Sequence, residues 1–141
     1  MMDRGVIDQG QLDQLFTASL EAAIARIEKD GHFFPLVFEL RANGIIHNLA
    51  VLELAPINTN AGVLDRLAEL LKSRADVRKI KAAAIVINRT EDQSFMVHVR
   101  APNYSKDVAI PFEIKYKGMI RRRRRVSLGE FAASEAPNAI F

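Results

Sequence analysis

The chain has 141 residues, 49% of them hydrophobic and 26% charged, and a formal net charge of +3, as expected for a single domain over residues 1–141. It contains no cysteine, which excludes disulfides, thiolate catalysis, zinc–thiolate sites and iron–sulfur clusters. The N-terminal residues lack a signal-peptide pattern and the apolar runs are shorter than a membrane span, so we expect a cytoplasmic protein without membrane contact.

A long amphipathic helix is the first element that the sequence predicts. Residues 8–30 carry apolar side chains at helical spacing, and Gly31 supplies the left-handed conformation that often ends a helix. A structural role accounts for every residue of this helix. A β-hairpin follows over residues 33–54, because Asn43-Gly44 between two apolar runs is the strongest short signal for a hairpin turn.

The hairpin turn also sets the predicted register. A two-residue turn pairs Ala42 with Ile45, and cross-strand partners then share a face of the hairpin. The predicted core face consists of Phe34, Leu36, Phe38, Leu40, Leu49 and Val51. His47 and Glu53 lie at opposite ends of that face, which makes them candidates for lining a pocket at the sheet edge. The other face is mixed in polarity, so we expect it to be partly wet or to contact a partner.

One helix and three strands are predicted in the second half of the chain. Residues 62–74 form the helix, and residues 79–88, 95–100 and 108–117 form the strands. Strand 79–88 is apolar on both faces, so both faces need a cover. Pro111 has no N–H to donate, which indicates a sheet edge or a bulge near it.

These elements predict an α+β fold in the order α-β-β-α-β-β-β. We expect an antiparallel sheet of about five strands with the helices packed mainly on one face. Residues 118–141 form a basic segment and a C-terminal tail, which is compatible with a short helix before Pro137 and with burial of Ile140 and Phe141. The order of elements is similar to that of roadblock and other profilin-like domains, and this resemblance implies a dimeric scaffold.

A run of five arginines precedes the tail: Arg121, Arg122, Arg123, Arg124 and Arg125. Residues 1–70 hold 5 basic and 10 acidic residues, whereas residues 71–141 hold 15 and 7, so the basic character is local. Consecutive arginines do not fit a core, because arginine is rarely buried without a partner. In an extended strand, alternate arginines lie on one side about 6.6 Å apart, and such a ladder can contact phosphates.

Several interpretations of the run are open. The arginines are solvated or paired within the chain, with Asp3, Asp8 and Asp13 as available carboxylates, or they bind a polyanion such as nucleic acid. A charged strand also prevents association between sheet edges. The sequence RRVSL makes Ser127 a candidate phosphoacceptor, because a phosphate there would lie beside guanidinium groups.

The sequence contains no catalytic or metal-binding motif. Its three histidines, His32, His47 and His98, show no metal-ligand spacing, and we place His98 on the outer face of its strand. A glycine-rich phosphate loop and a nucleophile elbow are both missing from the sequence. We therefore predict no catalytic residue, no metal and no cofactor, with an enzyme whose scattered site lies near His47 and Glu53 as an alternative.

The function that the sequence favours is a small interaction or scaffold module. The second face of strand 79–88 needs a cover, which either a second subunit or the C-terminal tail can supply. We expect a homodimer on this ground. The first alternative is a nucleic-acid-binding accessory protein that uses the arginines from Arg121 to Arg125.

Overall fold

The computed structural model describes residues 9–33, 35–49, 60–89, 91–119 and 123–141. Within them the chain forms two helices, α1 (Gln9–Asp30) and α2 (Asn60–Asp76). Seven strands form one sheet, in chain order β1 (Leu36–Arg41), β2 (Ile46–Leu49), β3 (Ile80–Arg89), β4 (Ser94–Ala101), β5 (Tyr104–Lys117), β6 (Arg123–Leu128) and β7 (Ala132–Glu135). Every strand pairs antiparallel with its neighbours. The predicted α+β class and antiparallel sheet are confirmed.

The strands lie in the order β2-β1-β3-β4-β5-β6, and β7 pairs with β5 on the same side as β6. The sheet is larger than predicted because the segment after Gly118 adds β6 and β7. The sequence of the tail was compatible with a short helix before Pro137. The structure has the strand β7 there instead. β6 was not predicted because a run of arginines shows no alternation of polar and apolar residues. In the structure Arg124 and Val126 are half-buried, and their neighbours in β6 are exposed.

The two helices cover opposite faces of the sheet. α1 packs on the face that contains Phe38 and Ala84, whereas α2 packs on the face that contains Val37 and Ile85. The expectation that both helices lie mainly on one face is therefore wrong. β3 is apolar on both sides and lies inside the sheet, so it takes a helix on each side.

The hairpin of β1 and β2 has a three-residue loop, not the predicted two-residue turn. The N–H of Arg41 donates to the carbonyl oxygen of Ile45 at 2.9 Å, and Gly44 adopts a φ of 88°. A left-handed glycine after a type I turn is a common loop of this length. The register shifts by one residue, so Glu39 lies opposite His47 and shares its face. Three residues of the predicted core face or its ends lie outside the described part of the chain: Phe34, Val51 and Glu53.

The C-terminal tail closes the α2 side of the sheet. Ile140 is 3% exposed and belongs to the core that α2 forms with β1 and β3. Asn138 fixes the tail, because its Nδ2 donates to the carbonyl of Ala101 at 2.8 Å and its Oδ1 accepts from the N–H of Phe141 at 3.0 Å. The predicted burial of the apolar C-terminus is confirmed.

Candidate nucleic-acid interface

Strands β5 and β6 extend beyond the rest of the sheet. The pairing of β4 with β5 ends at Ser94 and Pro111, whereas β5 continues to Lys117, which pairs with Arg123. We call residues 112–119 and 123–128 the basic arm. Over this length β6 is the described strand that pairs with β5, so the arm is a two-stranded ribbon.

Pro111 lies at the base of the arm, where the partner of β5 changes. Residues 106–109 of β5 pair with β7, and residues 112–117 pair with β6. Pro111 has no N–H to donate at this junction. Its carbonyl oxygen accepts a hydrogen bond from the N–H of Gly129 at 2.7 Å. Where the sequence indicated a sheet edge or a bulge near Pro111, the structure has a change of partner strand on one side of β5. At the other end of the arm, Gly118 follows β5 and has a φ of 106°, a left-handed conformation that suits glycine.

One face of the arm packs on α1. Ile114 and Val126 are cross-strand partners on this face and are half-buried against the core of α1. Arg124 shares the face, and its Nη1 donates to the carbonyl of Lys29 at 3.1 Å, at the C-terminal end of α1. Positive charge is favourable at that end of a helix. A Cβ at Gly31 would lie 3.2 Å from Nε of Arg124, so the guanidinium fits closely over the helix end.

The opposite face of the arm carries four exposed cations. Lys115 lies directly opposite Arg125, and Lys117 lies directly opposite Arg123. We call these four residues the cation face. Like charges directly opposite each other destabilise a strand pair. Among the described residues, one ion pair involves the cation face: Nη1 of Arg125 lies 3.7 Å from Oε1 of Glu28. The Arg125 side chain is 51% exposed.

The structure thus divides the predicted arginine run. Arg123 and Arg125 belong to the cation face, whereas Arg124 caps α1. Arg121 and Arg122 lie outside the described residues. β6 is an edge strand of the sheet. The interpretation that the arginines prevent association between sheet edges requires this position.

Sequence reasoning missed the contribution of Lys115 and Lys117. Their alternation in the strand was visible, but their pairing with arginines follows only from the register of the arm. Ser127, the candidate phosphoacceptor, is exposed on the same side as the cation face and lies opposite Glu113. Phosphorylation of Ser127 stays a prediction.

The carboxylates predicted to neutralise the run lie elsewhere or outside the described residues. Asp13 accepts a hydrogen bond from Nε2 of Gln9 at 2.9 Å within α1. Asp3 and Asp8 lie outside the described residues. The carboxylate that meets the arm is Glu28, whose Oε2 also accepts from the N–H of Val126 at 3.0 Å and so covers part of the β6 edge.

His47, a predicted pocket residue, lies beside a buried ion cluster. Its strand partner Glu39 is fully buried and accepts two hydrogen bonds of 2.6 Å from Arg74 of α2 and one of 2.9 Å from Arg41. Burial raises the pKa of Glu39, but the bonds and charges of Arg74 and Arg41 outweigh it and hold the pKa below its ordinary value. A carboxylate kept ionised in this way is a poor proton acceptor, so the cluster fastens α2 to the sheet. Glu53, the second pocket candidate, lies outside the described residues.

His98 is buried, which corrects its predicted place on the outer face of a strand. β4 is an inner strand with both faces covered, so His98 is only 8% exposed. Its Nδ1 lies 2.8 Å from Oδ1 of Asp107, and Nη2 of Arg100 donates to the same oxygen at 2.8 Å. Burial lowers the pKa of His98 and the bond to Asp107 opposes this only in part, so the neutral ring is favoured. Burial raises the pKa of Asp107, but Arg100 and His98 lower it overall.

Metal-ligand clusters and clefts are two further features of the described residues that bear on catalysis. No cluster of three or more metal-ligating side chains occurs among them. A cleft of about 240 Å³ lies at the start of α1, and its lining is mainly apolar, with Phe16, Val108 and Phe131 among its residues and no histidine. A concave site with convergent polar groups, which an enzyme needs, is not what this cleft provides.

Comparisons with known proteins do not indicate a function. No protein-family model, curated protein sequence or solved structure matches the chain. Neither α1 nor α2, the helices in the described part of the chain, is long and apolar enough to cross a membrane. The cation face of the basic arm is the candidate site for an anionic ligand.

Proposed function

We propose that the protein binds nucleic acid through the cation face of the basic arm. The observation that supports this proposal is the direct opposition of Lys115 to Arg125 and of Lys117 to Arg123 on an exposed ribbon. This arrangement costs stability, so folding alone does not account for it. Phosphates bound along the ribbon would neutralise the four cations and release counterions, which is the main source of affinity in such complexes.

Protection of the strand edges is a competing explanation of the cation face. Arginines on the edge strand β6 hinder association with another sheet. Lys115 and Lys117 lie on β5, whose other side has no described partner strand beyond Pro111, so they can protect that edge in the same way. Edge protection does not require like charges to lie directly opposite each other, whereas a shared anionic ligand accounts for that opposition.

Pairing within the chain also accounts for only part of the charge. Arg124 caps α1, and Arg125 contacts Glu28 across 3.7 Å while half exposed. These contacts do not involve Lys115, Lys117 or Arg123. Those three cations have no ion pair among the described residues, and Arg125 is half exposed, so all four can contact a ligand.

The homodimeric scaffold stays a prediction, as does an enzyme with a site near His47 and Glu53. The ground for a dimer was the second face of β3, and within the chain α2 and Ile140 cover that face. Light scattering of the purified protein decides the oligomeric state, and a single-subunit mass at high concentration would contradict the dimer.

The proposal is tested with two charge-matched variants. The arm variant replaces Lys115, Lys117, Arg123 and Arg125 with glutamine. The control variant makes the same replacement at four exposed cations elsewhere, Arg66, Lys72, Lys79 and Lys81. Both variants therefore lose the same formal charge, and Arg124 keeps its cap on α1.

Fluorescence anisotropy with a labelled 20-mer at low salt measures the affinity of each protein. We expect the arm variant to bind at least about 100-fold more weakly than the wild type, because four phosphate contacts are lost. The control variant should stay within about threefold of the wild type. Equal losses in the two variants would show a general charge effect and would contradict the proposal, provided that both variants unfold cooperatively.

A further inference from the structure

Building on the proposed function, we infer that the nucleic acid is double-stranded and that the arm enters a groove with its tip, which places Met119 against the base pairs. Three features of the described arm carry this inference: the composition of the cation face, the width of the ribbon and the exposure of Met119.

The described cation face has charge but no aromatic ring. Tyr116 pairs with Arg124 and therefore lies on the opposite face of the ribbon. Sites for single strands combine cations with aromatic side chains on which the bases stack. A face that offers only charge gains most from the polyanion with the densest phosphates, and a duplex carries one charge per roughly 1.7 Å of its axis.

The ribbon has the dimensions of a groove-binding element. Its two strands lie about 4.8 Å apart, and a major groove about 12 Å wide admits a two-stranded ribbon. α1 covers the non-cationic face up to Arg124, whose guanidinium lies over the end of that helix. Insertion is therefore limited to the part from the Lys117 and Arg123 pair to the tip.

Met119 lies at the tip of the arm, one residue after the left-handed Gly118. Its side chain is fully exposed, at 101% of the reference area, although it is large and apolar. In the major groove, an apolar side chain can contact the methyl group of thymine at the base edges. With Lys117 and Arg123 on the phosphates, Met119 is the described side chain that lies furthest along the arm.

The inference is tested with three probes of the same length: a 20-base-pair duplex and its two separate strands. We expect the wild type to bind the duplex about 10-fold more tightly than either strand at equal salt. Met119→Ser should weaken duplex binding about fivefold without changing its salt dependence, because no phosphate contact is lost. Val77→Ser is the control, since Val77 is another exposed apolar residue, at 63%, and lies outside the arm.

The outcomes separate this inference from the proposed function. Salt-dependent binding of single strands as tight as that of the duplex would overturn the inference and leave the proposed function in place. Met119→Ser and Val77→Ser variants of equal affinity would overturn the groove placement. No binding of any probe at low salt would overturn both.

Discussion

Charges on the α2 side of the sheet and charges on the basic arm are treated in opposite ways. In the first region the buried charged residues of the described chain have partners: Glu39 binds Arg41 and Arg74, and Arg100 binds the half-buried Asp107. In the second region four cations face one another on exposed strands. The fold therefore pairs charges where burial requires it and leaves them opposed where water can reach them.

Removal of Arg74 should have the largest effect on stability. Arg74→Met leaves the buried Glu39 carboxylate with Arg41 alone, and we expect the free energy of unfolding to fall by about 3 kcal/mol. Arg66→Met on the same helix is the control, because Arg66 is exposed. Urea unfolding measures both, and equal values would break the contrast between paired and opposed charges.

Truncation of Ile140 tests the cover of the α2 side. Ile140→Ala removes a buried side chain next to β3, and we expect a loss of about 2 kcal/mol. Leu70→Ala, at a position that is 46% exposed on α2, should stay within about 0.5 kcal/mol of the wild type. If the Ile140 variant matched the Leu70 variant in thermal unfolding, the tail would not be part of the core.

Arg124 and Arg123 are neighbours with different expected roles. Arg124→Gln removes the cap of α1 and should lower stability by about 1 kcal/mol while leaving nucleic-acid affinity within about threefold. Arg123→Gln should weaken binding and leave stability unchanged. The paired measurements of unfolding and anisotropy would contradict the division of the run if both substitutions acted alike.

Acid should weaken the fold through His98. The pKa of His98 is lowered by burial in the folded chain, so the unfolded chain takes up a proton first as pH falls below about 6.5. Stability from this group therefore decreases below that pH. Because only one ring contributes, this loss of stability should be smaller than the losses expected for the Arg74, Ile140 and Arg124 variants. Urea unfolding at pH 7 and pH 5.5 should show a smaller difference for His98→Gln than for the wild type, and an unchanged difference would contradict this assignment.

Charge reversal within the arm should raise stability slightly and lower affinity. Lys117→Glu places a carboxylate opposite Arg123, and we expect a gain of about 0.5 kcal/mol at low salt. Lys81→Glu is the control for net charge at an exposed position outside the arm. A variant that becomes more stable but binds less would sharpen the contrast between the regions. A loss of stability would show that the opposed cations are not destabilising.

The sequence predicted the elements better than their partners. Helical spacing and alternation are local patterns, and they located α1, α2 and the five strands from β1 to β5. The loop at Gly44 was predicted one residue too short, which moved His47 to the wrong face. Both loop lengths suit an Asn-Gly sequence, so local chemistry did not separate them.

The candidate interface needed long-range pairing that one sequence does not show. The arginine run was conspicuous, but its division followed from contacts of Arg124 with α1, about a hundred residues earlier in the chain. Lys115 and Lys117 joined the interface only through the register of β5 and β6. Similarly, the bond of Glu39 to Arg74 joins residues far apart in the sequence, so burial of that carboxylate could not be foreseen.

The most direct test of the cation face is the salt dependence of duplex binding. Four phosphate contacts predict a slope of about −3 to −4 for log K against log salt concentration in the wild type and in the control variant. The arm variant, with Lys115, Lys117, Arg123 and Arg125 replaced by glutamine, should give a slope near zero. A slope in the arm variant as steep as in the wild type would show that the phosphates are bound elsewhere and would contradict the account.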